Sequence, residues 1–134
     1  MMKEANPQDC YEMLQNDAKA LLIDCRATIE WQLLGTPNLD SIGKKALLIE
    51  WTSMSNQLNT NFVDNVSTYA SKDTPIIIMC RIGGRSAAAA QSLIEAGYTD
   101  VTNMTEGYEG RTDENGHRNS IEGWRARGLP WHQS

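Results

Sequence analysis

Cys80-Arg81-Ile82-Gly83-Gly84-Arg85-Ser86 gathers a thiol, two guanidinium groups and two adjacent glycines into one short stretch. A cysteine sulfur attacks as its thiolate and needs no separate base. Gly83 and Gly84 permit backbone conformations that a side chain would forbid, so neighbouring N–H groups can converge on one atom. Arg81 and Arg85 add charge and forked donors suited to an anionic group. Ser86 can cap a following helix and offer its hydroxyl to the sulfur. The stretch, with Ile82 at its middle, reads as a nest for an anion with a nucleophile at its floor, and Cys80 is expected to favour its thiolate form.

Such a nest needs rigid elements on either side. Pro75-Ile76-Ile77-Ile78-Met79 is an apolar, mostly β-branched run and reads as a buried strand that ends at the cysteine. Arg85–Ala96 is an alanine-rich helix stopped by Gly97, so its positive end faces the loop. Upstream, Asn6 and Pro7 open a helix over Gln8–Asn16, with Asn6 as cap, and Leu21–Asp24 follows as a short strand. Thr28–Leu34 reads as a short helix broken by Gly35-Thr36-Pro37, and Ala46–Ile49 as another strand. Asn61–Ser71 carries Phe62, Val66, Tyr69 and Ala70 at near-helical spacing, and Val101–Asn103 is a last strand. A polar, Gly-rich stretch, Gly107–Asn119, leads to a C-terminal turn or helix over Ser120–Gly128. Strands alternating with helices predict an α/β fold: a small parallel β-sheet with helices on both faces. In such sheets ligands bind beyond the carboxyl ends of the strands, where Cys80 lies.

Composition bounds the rest. A chain of 134 residues, 40% hydrophobic and 22% charged, reads as one globular domain with its own core. A net charge of −5 argues against nucleic acid or an anionic membrane as partner, and makes the cationic loop a local exception. No signal-like or membrane-length apolar run is present, so a cytoplasmic protein is expected. Cys10, Cys25 and Cys80 are far apart with no CxxC, which favours free thiols, and with His117 and His132 they form no zinc set.

The combined motifs resemble the single-domain rhodaneses, the sulfurtransferases. Strand, Cys-Arg-x-Gly-x-Arg-Ser and alanine-rich helix are similar to that family's active-site loop. Asp24-x-Arg26-x-x-x-Glu30-Trp31, Glu106-Gly107-Tyr108 and Trp124…Gly128-Leu129-Pro130-Trp131 are similar to three further family segments, in the right order over roughly residues 5–131. Two departures stand out. Gly35-Thr36-Pro37-Asn38-Leu39 keeps little of the family's Gly-His-Ile-x-Gly-Ala type segment, and Glu109–Asn119 is longer than the usual link. The resemblance implies a rhodanese-like fold and a two-step exchange with neither metal nor organic cofactor. Cys80 would take a sulfane sulfur from a thiosulfate-like anion or related persulfide, then pass it to cyanide or a thiol such as glutathione or thioredoxin. The amides from Arg81 to Ser86 would hold the sulfur, while Arg81 and Arg85 would hold the sulfonate of the donor.

Other readings of the same residues stay open. Cysteine phosphatases and arsenate reductases also use Cys, a Gly-rich loop and Arg, but the tyrosine and dual-specificity phosphatases place one more residue between Cys and Arg than the four found here. A noncatalytic rhodanese-like binding module is a third possibility, although loss of the loop cysteine would be its usual sign. Asp24, Arg26 and Glu30 could line the pocket; the plainer expectation is an Arg26–Glu30 pair, four apart, with Asp24 capping the helix. Cys25 could resolve a Cys80 persulfide, but like Cys10 it is expected as a packing residue. Trp31, Trp51, Trp124 and Trp131 are expected in core and edge packing, and His117 in a solvated turn. Gly43-Lys44-Lys45 lacks the spacing of a phosphate loop.

Overall fold

The computed structural model describes residues 2–133. Five strands form one sheet: β1 (Lys3–Ala5), β2 (Leu21–Asp24), β4 (Leu47–Leu48), β5 (Ile76–Met79) and β6 (Val101–Met104). Their order is β1-β6-β5-β2-β4, and every neighbouring pair is parallel. Parallel strands need crossovers, which here include the helices α1 (Pro7–Asn16), α2 (Thr28–Leu34), α3 (Phe62–Ser67) and α4 (Gly84–Glu95). Two-residue strands β3 (Thr36–Pro37) and β7 (Trp131–His132) pair antiparallel beside the main sheet. The α/β architecture expected from the sequence is thus the one observed.

Period-two alternation divides β5 between two cores. Ile76, Ile78 and Cys80 face one layer with Phe62 and Val66 of α3 and Ala89, Ala90 and Leu93 of α4. Ile77 and Met79 face the other, with Cys10 and Leu14 of α1 and with Tyr108, Trp124 and Leu129 from the C-terminal segment. Small alanines on the inner face let α4 pack close to the sheet. Asn6 caps α1 as expected, its Oδ1 accepting the Asp9 N–H at 2.8 Å. Lys44 closes the chain after α1, where its Nζ donates to the carbonyls of Asp17 and Ala20 at 2.8 and 2.6 Å.

Several boundaries differ from the expectations. The Asn61–Ser71 segment is helical only over Phe62–Ser67. Ser67 and Thr68 hydroxyls turn back onto the Asp64 carbonyl, and the chain tightens, with both the Tyr69 and Ala70 N–H groups on Val66 O. The strand at Ala46–Ile49 is limited to Leu47–Leu48, on the sheet edge. Ser120–Gly128 forms turns rather than a helix. Strand β1 was absent from the expectation, because a polar tripeptide acquires strand geometry only by pairing with β6.

A buried ion pair marks the carboxyl edge of β2. Arg26 and Asp24 are both 0% exposed, with Nη2 2.7 Å from Oδ2 and Nε 2.9 Å from Oδ1. The expected Arg26–Glu30 pair and the Asp24 cap are therefore corrected: Asp24 spends its carboxylate on Arg26, and Ala27 occupies the cap position. Arg26 Nη2 also donates to Gly35 O at 2.7 Å, and its guanidinium stacks 4.1 Å above the Tyr108 ring. Removing one partner of a buried pair strands the other charge, whereas removing both does not. Arg26→Met is expected to lower unfolding free energy by about 3–5 kcal/mol, and Arg26→Met with Asp24→Leu to recover part of that loss. Denaturant melts of the two variants check both statements.

Candidate active site

Strand β5 delivers Cys80 to the carboxyl edge of the sheet, and the chain turns at once into α4. Gly83, the cap residue of α4, has φ of +109°, a conformation that L side chains rarely adopt. That turn folds the backbone over the sulfur. The Gly83 N–H donates to Cys80 Sγ at 3.1 Å and the Ser86 N–H at 3.3 Å. Cys80 is only 1% exposed. The thiol therefore sits at the N-terminal end of a three-turn helix with two backbone donors aimed at it.

The underside of the loop is clamped by the turn after β6. Tyr108 N–H donates to Cys80 O at 2.8 Å, and Glu109 N–H to Arg81 O at 3.0 Å. Gly107 makes this close approach possible. A Cβ there would lie 2.6 Å from the Cys80 oxygen and from the Arg81 carbonyl, at a φ of +70°. Tyr108 is anchored in turn, its hydroxyl donating to Leu34 O at 3.0 Å.

Both loop arginines are already paired. Arg85 Nη1 and Nη2 donate to Glu30 Oε1 and Oε2 at 2.6 and 2.9 Å, a forked contact. Arg81 Nε donates to Glu109 Oε2 at 2.8 Å, and Glu109 is buried. Each guanidinium keeps further N–H donors, but neither stands as uncompensated charge. Glu30 is held from a third side, its Oε1 accepting the Ala27 N–H at 2.9 Å at the start of α2. Burial alone would raise the Glu30 carboxyl, but the hydrogen bonds from Arg85 and Ala27 and the nearby guanidinium charges outweigh it and hold the carboxyl below its ordinary value.

Ser86 lies in the first turn of α4 rather than at its cap. Its Oγ is 3.2 Å from Cys80 Sγ and 2.5 Å from Asn103 Oδ1. Asn103 Nδ2 faces two acceptors, Gly83 O at 3.2 Å and Glu4 Oε2 at 3.5 Å, which fixes the amide orientation. The Ser86 hydroxyl thus sits between the Asn103 amide oxygen and the Cys80 sulfur, with Gly83 O as a further acceptor at 3.2 Å. Asn103 and Glu109 were missed as site residues. The available signal for Asn103 was an amide inside the buried strand Val101–Met104; for Glu109 there was none.

The remaining candidates fall outside the loop's inner face. Ile82 is 51% exposed at the mouth. Cys25 is buried beside Met79, to whose carbonyl its N–H donates at 2.9 Å. Burial, and the charges of Cys80 and Asp24, push its thiol well above the usual range. Burial also raises the Cys10 thiol, to about 12. Trp124 is fully buried, its Nε1 donating to Pro130 O, and Trp51 packs edge-on against Phe62. His117 lies exposed in a turn closed by Asp113. Among the described residues all three cysteines are free thiols.

Comparison with known proteins bears on this geometry. A family model described as the STR4 middle domain matches residues 3–134. An uncharacterized protein of Rickettsia prowazekii is 37% identical over 123 residues, covering 90% of this chain and 89% of that one. The crystal structure of Rv0390 from M. tuberculosis has a TM-score of 0.92 at 38% identity, over 98% of both chains. A rhodanese-like domain protein from Staphylococcus aureus shares the fold, with a TM-score of 0.64 at 19% identity over 99% of each chain. With its Cys80 loop at the carboxyl edge of a parallel sheet and a family match over nearly its whole length, the chain belongs to the rhodanese-like family.

Proposed function

We propose that this protein is a sulfurtransferase that carries sulfane sulfur on Cys80 as a persulfide. The observation that carries this reading is the pair of backbone N–H groups, from Gly83 and Ser86, pointed at the buried Cys80 sulfur. Fixed donors of this kind stabilise a sulfur anion without reorganising as charge develops. The chain's membership of the rhodanese-like family supports the same assignment.

In the loading step the Cys80 thiolate attacks the sulfane sulfur of a donor, thiosulfate or a related persulfide. The donor's S–S bond breaks and its electron pair leaves with sulfite or with a thiolate. A new Sγ–S bond forms. The outer sulfur then extends past Sγ into the curve of the loop, where the N–H groups of Gly84 and Arg85 lie at the first positions of α4 and have no carbonyl one turn back. In the unloading step a thiol such as glutathione or thioredoxin, or cyanide, attacks the outer sulfur and Cys80 leaves as the thiolate. Dividing the transfer in two makes each displacement easier, and neither needs a general base.

Intact-protein mass after incubation with thiosulfate or an alkyl persulfide should rise by one sulfur atom and return to its starting value on adding cyanide. Cys80→Ser should show no gain while melting like the parent; turnover retained in that variant defeats the persulfide route. Gly107→Ala is expected to cost roughly 2 kcal/mol or more through a strained backbone and a collision with the loop carbonyls. Because that collision displaces the loop itself, sulfur loading should slow roughly tenfold or more in the folded fraction. Stopped-flow loading kinetics alongside thermal melting separate the two effects.

A further inference from the structure

We propose that Cys25 gives this site a second way to unload: it displaces the sulfur carried on Cys80, releasing hydrosulfide and leaving a Cys25–Cys80 disulfide. This rests on the sulfurtransferase reading above. Strand register brings the two thiols together. Asp24 of β2 is opposite Met79 of β5, and the Cys25 N–H continues that ladder by donating to Met79 O at 2.9 Å. In a parallel ladder that bond sets Cys25 directly beside Cys80. Neighbouring strands lie about 4.8 Å apart, inside the roughly 4.4–6.8 Å between Cα atoms that a disulfide spans. The side chains also share a face, since both cysteines pack in the layer that holds Ile23 and Ile78. Cys10 lies in the layer on the other face of the sheet, so only one of the two remaining thiols is placed for this reaction.

Packing would be served equally by an apolar β-branched residue at the end of β2. A thiol there instead sets a second nucleophile beside the first, and its attack is intramolecular. Both cysteines are buried, and burial together with the charges of Cys80 and Asp24 keeps the proton on Cys25. That proton has a use. It passes to the outer sulfur of the persulfide anion as Cys25 Sγ attacks Cys80 Sγ. The S–S bond of the persulfide breaks, and its electron pair leaves with the hydrosulfide. The sulfane sulfur is reduced and the two cysteines are oxidised to one disulfide, so no other oxidant enters and charge is conserved. Moving the proton in the same step avoids a free Cys25 thiolate, which burial disfavours. An external dithiol then reduces the disulfide and restores both thiols.

The test loads the protein with thiosulfate, or with glutathione persulfide in a second arm, removes small molecules and follows intact mass under an argon sweep. The parent should first gain one sulfur atom, then fall to two hydrogens below its starting mass, releasing hydrosulfide in equal amount. Proteolytic mapping should find Cys25 joined to Cys80. Cys25→Val should keep the added sulfur roughly a hundredfold longer and still surrender it to cyanide. Cys10→Ala should behave like the parent. If Cys25→Val does not fold, mapping of the parent decides alone. A parent that holds its sulfur as long as Cys25→Val, or that forms no Cys25–Cys80 link, overturns the proposal. Absence of any sulfur gain from both donors, in parent and variant alike, overturns the sulfurtransferase reading itself.

Discussion

The carbonyls of Cys80 and Arg81 have to point away from the Cys80 sulfur, and the rest of the site depends on what holds them there. A peptide unit is planar, with its C=O and N–H directed to opposite sides. Turning the Cys80 and Arg81 carbonyls outward keeps those acceptors off the face where the Gly83 and Ser86 N–H groups reach the sulfur. The Tyr108 and Glu109 N–H groups accomplish this by donating to those carbonyls at 2.8 and 3.0 Å. Gly83 O, the next along but one, is taken by Ala87 N–H and by Asn103 Nδ2. A loop that would otherwise present mixed dipoles to the sulfur is thereby sorted into donors inside and acceptors outside.

That clamp is itself the end of a longer chain of contacts. Tyr108 reaches Leu34 O with its hydroxyl and receives the Arg26 guanidinium on its ring, while Arg26 is locked by Asp24 at the end of β2. Segments from three distant parts of the chain are thus tied under one cysteine. The charge pattern follows similar logic. Buried or half-buried arginines need partners, and Glu30 and Glu109 supply them from α2 and from the turn after β6. The result is a loop that turns backbone donors toward the Cys80 sulfur while both of its arginines are paired with carboxylates.

Much of this was legible in the chain. The apolar run before Cys80, the two glycines after it and the alanine-rich segment beyond are local features. They specify strand, turn and helix because β-branched residues favour strands, glycine tolerates positive φ, and alanine favours helices. Strand–helix alternation then implied the parallel sheet and placed Cys80 at its carboxyl edge. Gly107 was visible as a turn residue, though not as the point where two backbones meet.

The partners were not legible. Arg26 and Glu30 stand four apart in the chain, which suggested that they pair, yet each joins a different residue: Asp24 beneath the sheet edge, and Arg85 across 55 positions of sequence. Asn103 could not be connected to Ser86, nor Glu109 to Arg81, because hydrogen bonds between distant segments depend on sheet order and register, which periodicity does not encode. β1 shows the same limit, since a polar edge strand exists only through its neighbour. The sequence by itself determined the cysteine loop and the fold class, because those rest on local conformational preference. Tertiary structure alone decided which charges are spent and which donors face the sulfur, because both depend on which distant groups the folded chain brings within hydrogen-bond reach.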